Sequence, residues 1–253
     1  MEELTDNQIE RYARHLVLPE IDEEGQAKLL VAKVLIIGAG GLGSPLLMYL
    51  AAAGVGTLYI ADDDEVDLSN LQRQIAHGTN DIGKPKVRSA SETISALNPE
   101  ISTVEIKEKI TAGNAAHWIE QVDIVADGSD NLATRQLMND VCFKLKKPLI
   151  SAAITRFDGQ LTTFKAYEPG ENRPCYRCLF PSTEEVEGRS CSDVGVLATL
   201  PGVMGSLQAT EVIKEITGIG TSLVGELVIY DALDVRFSRF KVKRADRCEV
   251  CVK

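Results

Sequence analysis

No run in this sequence is long and apolar enough to cross a bilayer. The most apolar stretch, residues 42–55, is broken by glycine and serine and is too short. A secretory start is missing as well: residues 1–10 are polar and acidic, with neither a basic opening nor an apolar core. Positive charge is in deficit, since 27 Lys and Arg stand against 37 Asp and Glu and leave a formal net charge of −10. Such a chain is a poor default partner for nucleic acid or an anionic membrane, whose phosphates it repels. The three histidines, His15, His77 and His117, have neither metal-ligand nor triad spacing and read as non-catalytic. Internal repeats and low-complexity tracts are also lacking. These absences predict a cytoplasmic protein with reduced cysteines and no disulfide framework.

What is present suits an ordinary globule. The 253 residues are 44% hydrophobic and 25% charged, enough to bury a core as one large domain or two small ones. Periodicity predicts a helix over 6–18, a buried strand over 33–37, an apolar helix over 44–53 stopped by Gly54, and a strand over 57–61. A helix over 84–97 ends at Asn98-Pro99. A strand over 122–126, a helix over 130–145 and a strand over 149–153 follow. This alternation predicts a mainly parallel sheet with helices on both faces. Residues 159–166 alternate like an antiparallel strand. The stretch 169–193 reads as a loop, 202–217 as a helix, and 226–230 with 235–242 as a closing hairpin.

Gly38-x-Gly40-x-x-Gly43 follows a strand and opens a helix, where backbone N–H groups can approach phosphate. Asp62 lies at the end of the next strand, placed to accept from ribose hydroxyls. Tight strand–helix packing alone would also explain the glycines. An NAD-dependent oxidoreductase is the first reading of this pair. The next stretch, Ser69-Asn70-Leu71-Gln72-Arg73-Gln74 followed by Lys84-Pro85-Lys86, argues against it. A dinucleotide needs only its pyrophosphate cradled, whereas added cations suit a triphosphate whose charge moves during reaction. Asp130 and Asn131 close a later strand at the same sheet edge. Asp130 can hold Mg²⁺ or serve as a helix N-cap.

The six cysteines divide by spacing. Cys175-x-x-Cys178 and Cys248-x-x-Cys251 form paired knuckles that match a tetrahedral zinc site with four protein ligands, structural because no position stays open. Closing a loop of that size removes roughly 4 kcal/mol of unfolded-state freedom. A redox pair is the alternative, disfavoured because only one knuckle would be needed and neither is expected to open a helix. Cys142, in an apolar helix, reads as a core residue. Cys191 sits in a polar loop beside an arginine and is either a covalent sulfur or acyl handle or an incidental loop cysteine.

Taken together, Arg11-Tyr12-Ala13-Arg14, Gly38-Ala39-Gly40-Gly41-Leu42-Gly43, the 69–74 run, Lys84-Pro85-Lys86, Asp130-Asn131 and the paired cysteine knuckles resemble the MoeB/ThiF (HesA/MoeB/ThiF) adenylyltransferases. These are bacterial relatives of ubiquitin-activating enzymes. The resemblance runs from about Arg11 to Cys251. It implies a Rossmann-like α/β fold, doubly wound and extended by C-terminal antiparallel strands, with a structural four-cysteine zinc site. The chain is then expected to be a single domain over 1–253: an N-terminal helical segment at 1–30, a nucleotide-binding half at 31–155 and a carrier-facing half at 156–253.

The implied reaction activates the C-terminal Gly-Gly carboxylate of a ubiquitin-like sulfur carrier as an acyl-adenylate, with ATP, Mg²⁺ and Zn²⁺. By position, Gly41 would touch the nucleotide and Asp62 the ribose. Asn70, Arg73 and Lys86 would hold the phosphates, Asp130 would bind Mg²⁺, and Arg14 would reach the ATP of the other subunit of a homodimer. A MoaD-like carrier for molybdenum cofactor biosynthesis is favoured by residues 191–196. The runs 61–64 and 131–136 favour a ThiS-like carrier for thiamine biosynthesis. The sulfur would come from another protein, such as a cysteine desulfurase or rhodanese.

Overall fold

Lys33–Ile37 places four buried apolar side chains behind one exposed lysine and forms β1, and Thr57–Ala61 repeats the pattern as β2. Runs of this kind suit strands covered on both faces. In the computed structural model, which describes residues 3–170, 172–181 and 195–252, both strands lie within one eight-stranded sheet. The others are β3 (Ser102–Ile106), β4 (Ile124–Asp127), β5 (Leu149–Thr155), β6 (Asp158–Phe164), β7 (Glu226–Asp231) and β8 (Arg236–Lys241). The spatial order is β3-β2-β1-β4-β5-β6-β7-β8. The first five strands in that order pair in parallel, and β5 to β8 pair antiparallel.

Nine helices are described: α1 (Asp6–Arg11), α2 (Ala13–Leu16), α3 (Asp22–Val31), α4 (Gly43–Ala53), α5 (Lys86–Leu97), α6 (Ala115–Glu120), α7 (Leu132–Leu145), α8 (Tyr176–Leu179) and α9 (Leu200–Thr217). Because side chains alternate along a strand, β1 sends Val34 and Ile36 to one face and Leu35 and Ile37 to the other. The first pair packs with Leu29 of α3, Leu46 and Leu50 of α4, Ile94 of α5 and Met204 of α9. The second packs with Ile119 of α6 and Met138 of α7. No helix among the described residues is long and apolar enough to cross a membrane.

Several boundaries differ from expectation for physical reasons. The single helix expected over 6–18 is two short ones, interrupted at Tyr12, whose backbone leaves the helical region. Its ring is buried and its hydroxyl accepts from Asn98 Nδ2 at 2.9 Å, so a tertiary contact overrides local periodicity. The helix expected from residue 84 starts at Lys86, after an extended Pro85. The helix expected from residue 130 starts at Leu132, because Asn131 is the N-cap. The helix α3, the edge strand β3 and the helix α6 lie in stretches assigned no element from the sequence. Ser102–Ile106 buries only its last residue fully, and α3 buries Gly25 and Gln26 beside Leu29, leaving no apolar stripe.

Candidate functional site

The strand order reverses between β1 and β4, and a cleft opens at their carboxyl ends, the place where open α/β sheets hold ligands. Two glycines shape the turn leaving β1. Gly38 has φ of +90°, a conformation that side chains disfavour. A Cβ on Gly43 would collide with the carbonyl oxygen of Gly38, so only glycine lets α4 start against the turn. The Ala39 N–H between them donates to Asp62 Oδ2 at 2.8 Å, and the Asp64 N–H donates to Asp62 Oδ1 at 2.9 Å. Each carboxylate oxygen keeps a second acceptor site for a ligand hydroxyl. Burial raises the Asp62 pKa, opposed chiefly by the charge of Lys86.

The cationic wall is built by a folded turn. Asp67 accepts from the Ser69 N–H at 2.8 Å while Asn70 Oδ1 accepts from the Asp67 N–H at 3.2 Å, a reciprocal cap on the 3₁₀ turn Leu68–Asn70. The turn delivers Arg73 and Gln74 to the cleft, with Arg73 Nη1 donating to the Ser69 carbonyl at 3.1 Å. Lys86, the first residue of α5, is 5% exposed and places Nζ 2.7 Å from Asp64 Oδ2.

The opposite wall follows β4. Asn131 Oδ1 accepts from the Thr134 N–H at 2.9 Å and caps α7. Asp130 is therefore not the cap, which removes one of its two expected roles. Among the described residues its exposed carboxylate has only a 3.4 Å contact from Asn131 Nδ2, leaving oxygens that fit a divalent cation. Arg135 reaches the same cleft, donating through Nε and Nη2 to the Ser129 carbonyl at 3.2 and 2.6 Å. Beneath it Asp127 is fully buried, and burial raises its pKa.

Of the expected site residues, Gly38, Gly40, Gly41 and Asp62 line the cleft on one side, with Arg73, Lys86, Asp130 and Asn131 around it. Gly43 shapes the turn from behind. Ser69, Asn70, Leu71 and Gln72 lie outside the cleft lining and form the turn and its exit. Arg14 lies exposed on α2, away from the cleft. Cys191 falls outside the described residues. The sequence reading missed Arg135 as a lining residue and noted Gln74 only within the 69–74 run. His77, read as non-catalytic, lies outside the cleft lining and buried against the Ala39 carbonyl. The signal for Arg135 was its place one turn after Asn131, facing the same end of the sheet. His77 had no signal, because its contacts are wholly tertiary.

The four knuckle cysteines converge. Their sulfur atoms all lie within 4.8 Å of one another, at 3.8 Å for Cys175–Cys178 and 3.4 Å for both Cys175–Cys248 and Cys178–Cys251. Zinc–thiolate bonds of about 2.3 Å need tetrahedral edges near 3.8 Å, and these separations lie within a few tenths of an ångström of that, so the donor set fits one zinc ion. Burial pushes the Cys251 thiol up to about 12. A bound cation would offset that cost by stabilising thiolates. One expectation is corrected here: Cys175 does open a helix, as the N-cap of α8. Four converging sulfurs nonetheless set this cluster apart from an isolated redox pair. Cys142 is buried and its pKa is raised by burial, as befits a core residue.

Residues 12–250 match the model of the ThiF family. The chain is 44% identical over 251 residues to the sulfur carrier protein adenylyltransferase of Thermus thermophilus, covering 98% of this chain and 92% of that protein. It is 43% identical over 245 residues to the SAMP-activating enzyme E1 of Haloferax volcanii, covering 96% and 89%. The crystal structure of E. coli MccB with ATP is similar at a TM-score of 0.78 and 25% identity, covering 90% of this chain and 69% of that one. The chain belongs to the ThiF family and is an enzyme of the adenylyltransferase type, which sets aside the oxidoreductase alternative.

Proposed function

We propose that this ThiF-family chain uses ATP to adenylate the C-terminal carboxylate of a small ubiquitin-like sulfur carrier. The observation that carries the reading is the convergence of Arg73, Lys86 and Arg135 on one cleft floored by the glycine turn and Asp62. The names of the relatives supply the substrate class.

A C-terminal carboxylate has an ordinary pKa of about 3.5, so it arrives ionised and needs no general base. The obstacle is repulsion between an anion and a polyanion. Arg73, Lys86 and Arg135 lower that repulsion and align the attack. A carboxylate oxygen bonds to the α-phosphorus, the bond from that phosphorus to the bridging oxygen breaks, and pyrophosphate leaves with the electron pair. Asp62 accepts from the ribose hydroxyls, and Asp130 would hold Mg²⁺, which supplies further charge neutralisation on the phosphates. Cys175, Cys178, Cys248 and Cys251 would hold zinc as a structural clamp.

The reading extends to a cytoplasmic homodimer in which Arg14 completes the partner subunit's site. We favour a MoaD-like carrier over a ThiS-like one, with sulfur delivered by a separate donor protein. To test both levels, the purified chain is incubated with ATP, Mg²⁺ and either carrier, and the carrier is weighed. A mass gain of one adenylyl group on the MoaD-like carrier alone is expected. Gain on the ThiS-like carrier alone would reverse the choice of branch, and gain on neither would remove the reaction.

A further inference from the structure

The glycine turn is held from both sides at Ala39. Asp62 takes its N–H. On the other side His77 Nε2 lies 2.9 Å from the Ala39 carbonyl oxygen, and His77 Nδ1 lies 2.8 Å from Ser89 Oγ. A carbonyl oxygen can only accept, so Nε2 carries the proton. His77 and Ser89 are 7% and 1% exposed, and α5 fixes the neighbouring backbone too, since Thr93 Oγ1 donates to the Ala76 carbonyl at 2.7 Å.

A trans peptide is planar, with its C=O and the following N–H pointing in opposite directions. The Ala39 N–H turned toward Asp62 therefore sends the Gly38 carbonyl the other way, onto Gly43 of α4. The Ala39 carbonyl turned toward His77 likewise sends the Gly40 N–H away from His77. Gly40 lines the cleft, and its N–H has no protein acceptor among the described residues.

We infer that His77 is a positioning residue for nucleotide phosphate: by holding the Ala39 carbonyl through Nε2–H, it fixes the peptide plane that presents the Gly40 N–H to the cleft. It touches no substrate atom itself. Without this hold the Ala39–Gly40 peptide can rotate, since glycine tolerates both orientations. Phosphate recognition is lost while the adenosine-facing acid, Asp62, stays in place.

The inference rests on the cleft being an ATP site, and the test separates the two. ATP and adenosine affinities are measured for the wild-type chain, His77→Ala and His77→Gln, with thermal melts alongside. Gln is chosen because its Nε2 can replace the imidazole donor. Weakening of ATP by about tenfold or more in His77→Ala, with adenosine unchanged and ATP recovered in His77→Gln, is the expected result. Equal weakening of both ligands, or of neither, would overturn it. If His77→Ala does not fold, Ser89→Ala carries the test: it leaves Nδ1 unpartnered, and the same selective loss for ATP must appear in smaller measure. Wild-type protein that binds no ATP would sink the ATP reading itself, independently of His77.

Discussion

Lys86 Nζ lies 2.7 Å from Asp64 Oδ2, joining a side chain 7% exposed to one 67% exposed. The pair is lopsided. The ammonium bears the desolvation, while the carboxylate remains in water and can swing away when a phosphate takes its place. A buried cation held ready by a displaceable anion is suited to receiving charge that arrives with substrate.

Replacing Lys86 or Arg73 by alanine is therefore expected to slow adenylate formation by a few powers of ten, a loss on the order of 3–4 kcal/mol. Carrier-dependent exchange of labelled pyrophosphate into ATP reads this directly. Near-normal exchange in both variants would refute their role.

Elemental analysis should find one zinc per chain. Cys248→Ser or prolonged chelation should lower the melting temperature, since the clamp joins positions 73 residues apart and closing such a loop is worth about 4 kcal/mol. Metal-free protein with an unchanged melt would remove the zinc assignment.

Gly43→Ala tests the turn. The added methyl meets the Gly38 carbonyl oxygen, so α4 or the turn must shift, at a cost of about 1–3 kcal/mol. A lower melting temperature with weakened ATP binding is the expected pair of results. A fully stable variant with normal ATP affinity would contradict the close approach.

Stability should depend on pH through His77. Burial lowers its pKa below the ordinary 6.5 and Lys86 lowers it further, opposed first by the hydrogen bond to the Ala39 carbonyl and then by Asp62 and Asp81. A depressed pKa means the unfolded chain binds the proton more readily. The contribution is complete above about 6.5 and fades as pH falls through the folded-state value. Melts from pH 8 down to about 5 should show this decline, and His77→Gln should flatten it. An equal slope in the variant would exclude His77 as the source.

Arg14 stands exposed on α2, outside the cleft of its own chain. If it serves the partner subunit, Arg14→Ala and Lys86→Ala are each inactive alone but regain activity when mixed and allowed to exchange subunits. No recovery in mixed dimers, verified by light scattering, would refute action across the interface.

The central strands were legible because Lys33–Ile37 and Thr57–Ala61 are short apolar runs between turn residues, and a run of that kind admits few other readings. The glycine turn, Asp62 and the four zinc-type cysteines were legible because their chemistry is written in spacing. The edge strand β3 was not, since it is short and only half-covered, and its polar residues are satisfied from α5, Thr103 by Ser91 and Glu105 by Arg88, partners that lie more than ten residues away in sequence. Asp130 was a reasonable cap from its residue type, but the cap is the next residue, Asn131, and side-chain chemistry does not fix which of two adjacent acceptors takes the Thr134 N–H. The extended backbone of Asn131 and its bond from the Thr134 N–H decide for it. His77 reaches the glycine turn through packing across segments distant in sequence, which no local pattern encodes.

The strand β8 ends the sheet, with one side unpaired among the described residues, and carries Phe237 and Phe240 half-exposed among Arg236, Arg239 and Lys241. An unpaired strand is an invitation to other copies, and like charges along it act as a deterrent. The residues just beyond β8 return to Cys175 and Cys178, so the cysteine clamp also tethers the strand that most needs restraint. Stored or oxidised preparations should then fail first by edge-to-edge clumping, visible as turbidity that salt accelerates by screening the deterrent, while the cleft at β1 and β4, with β5 to β7 in between, is still intact.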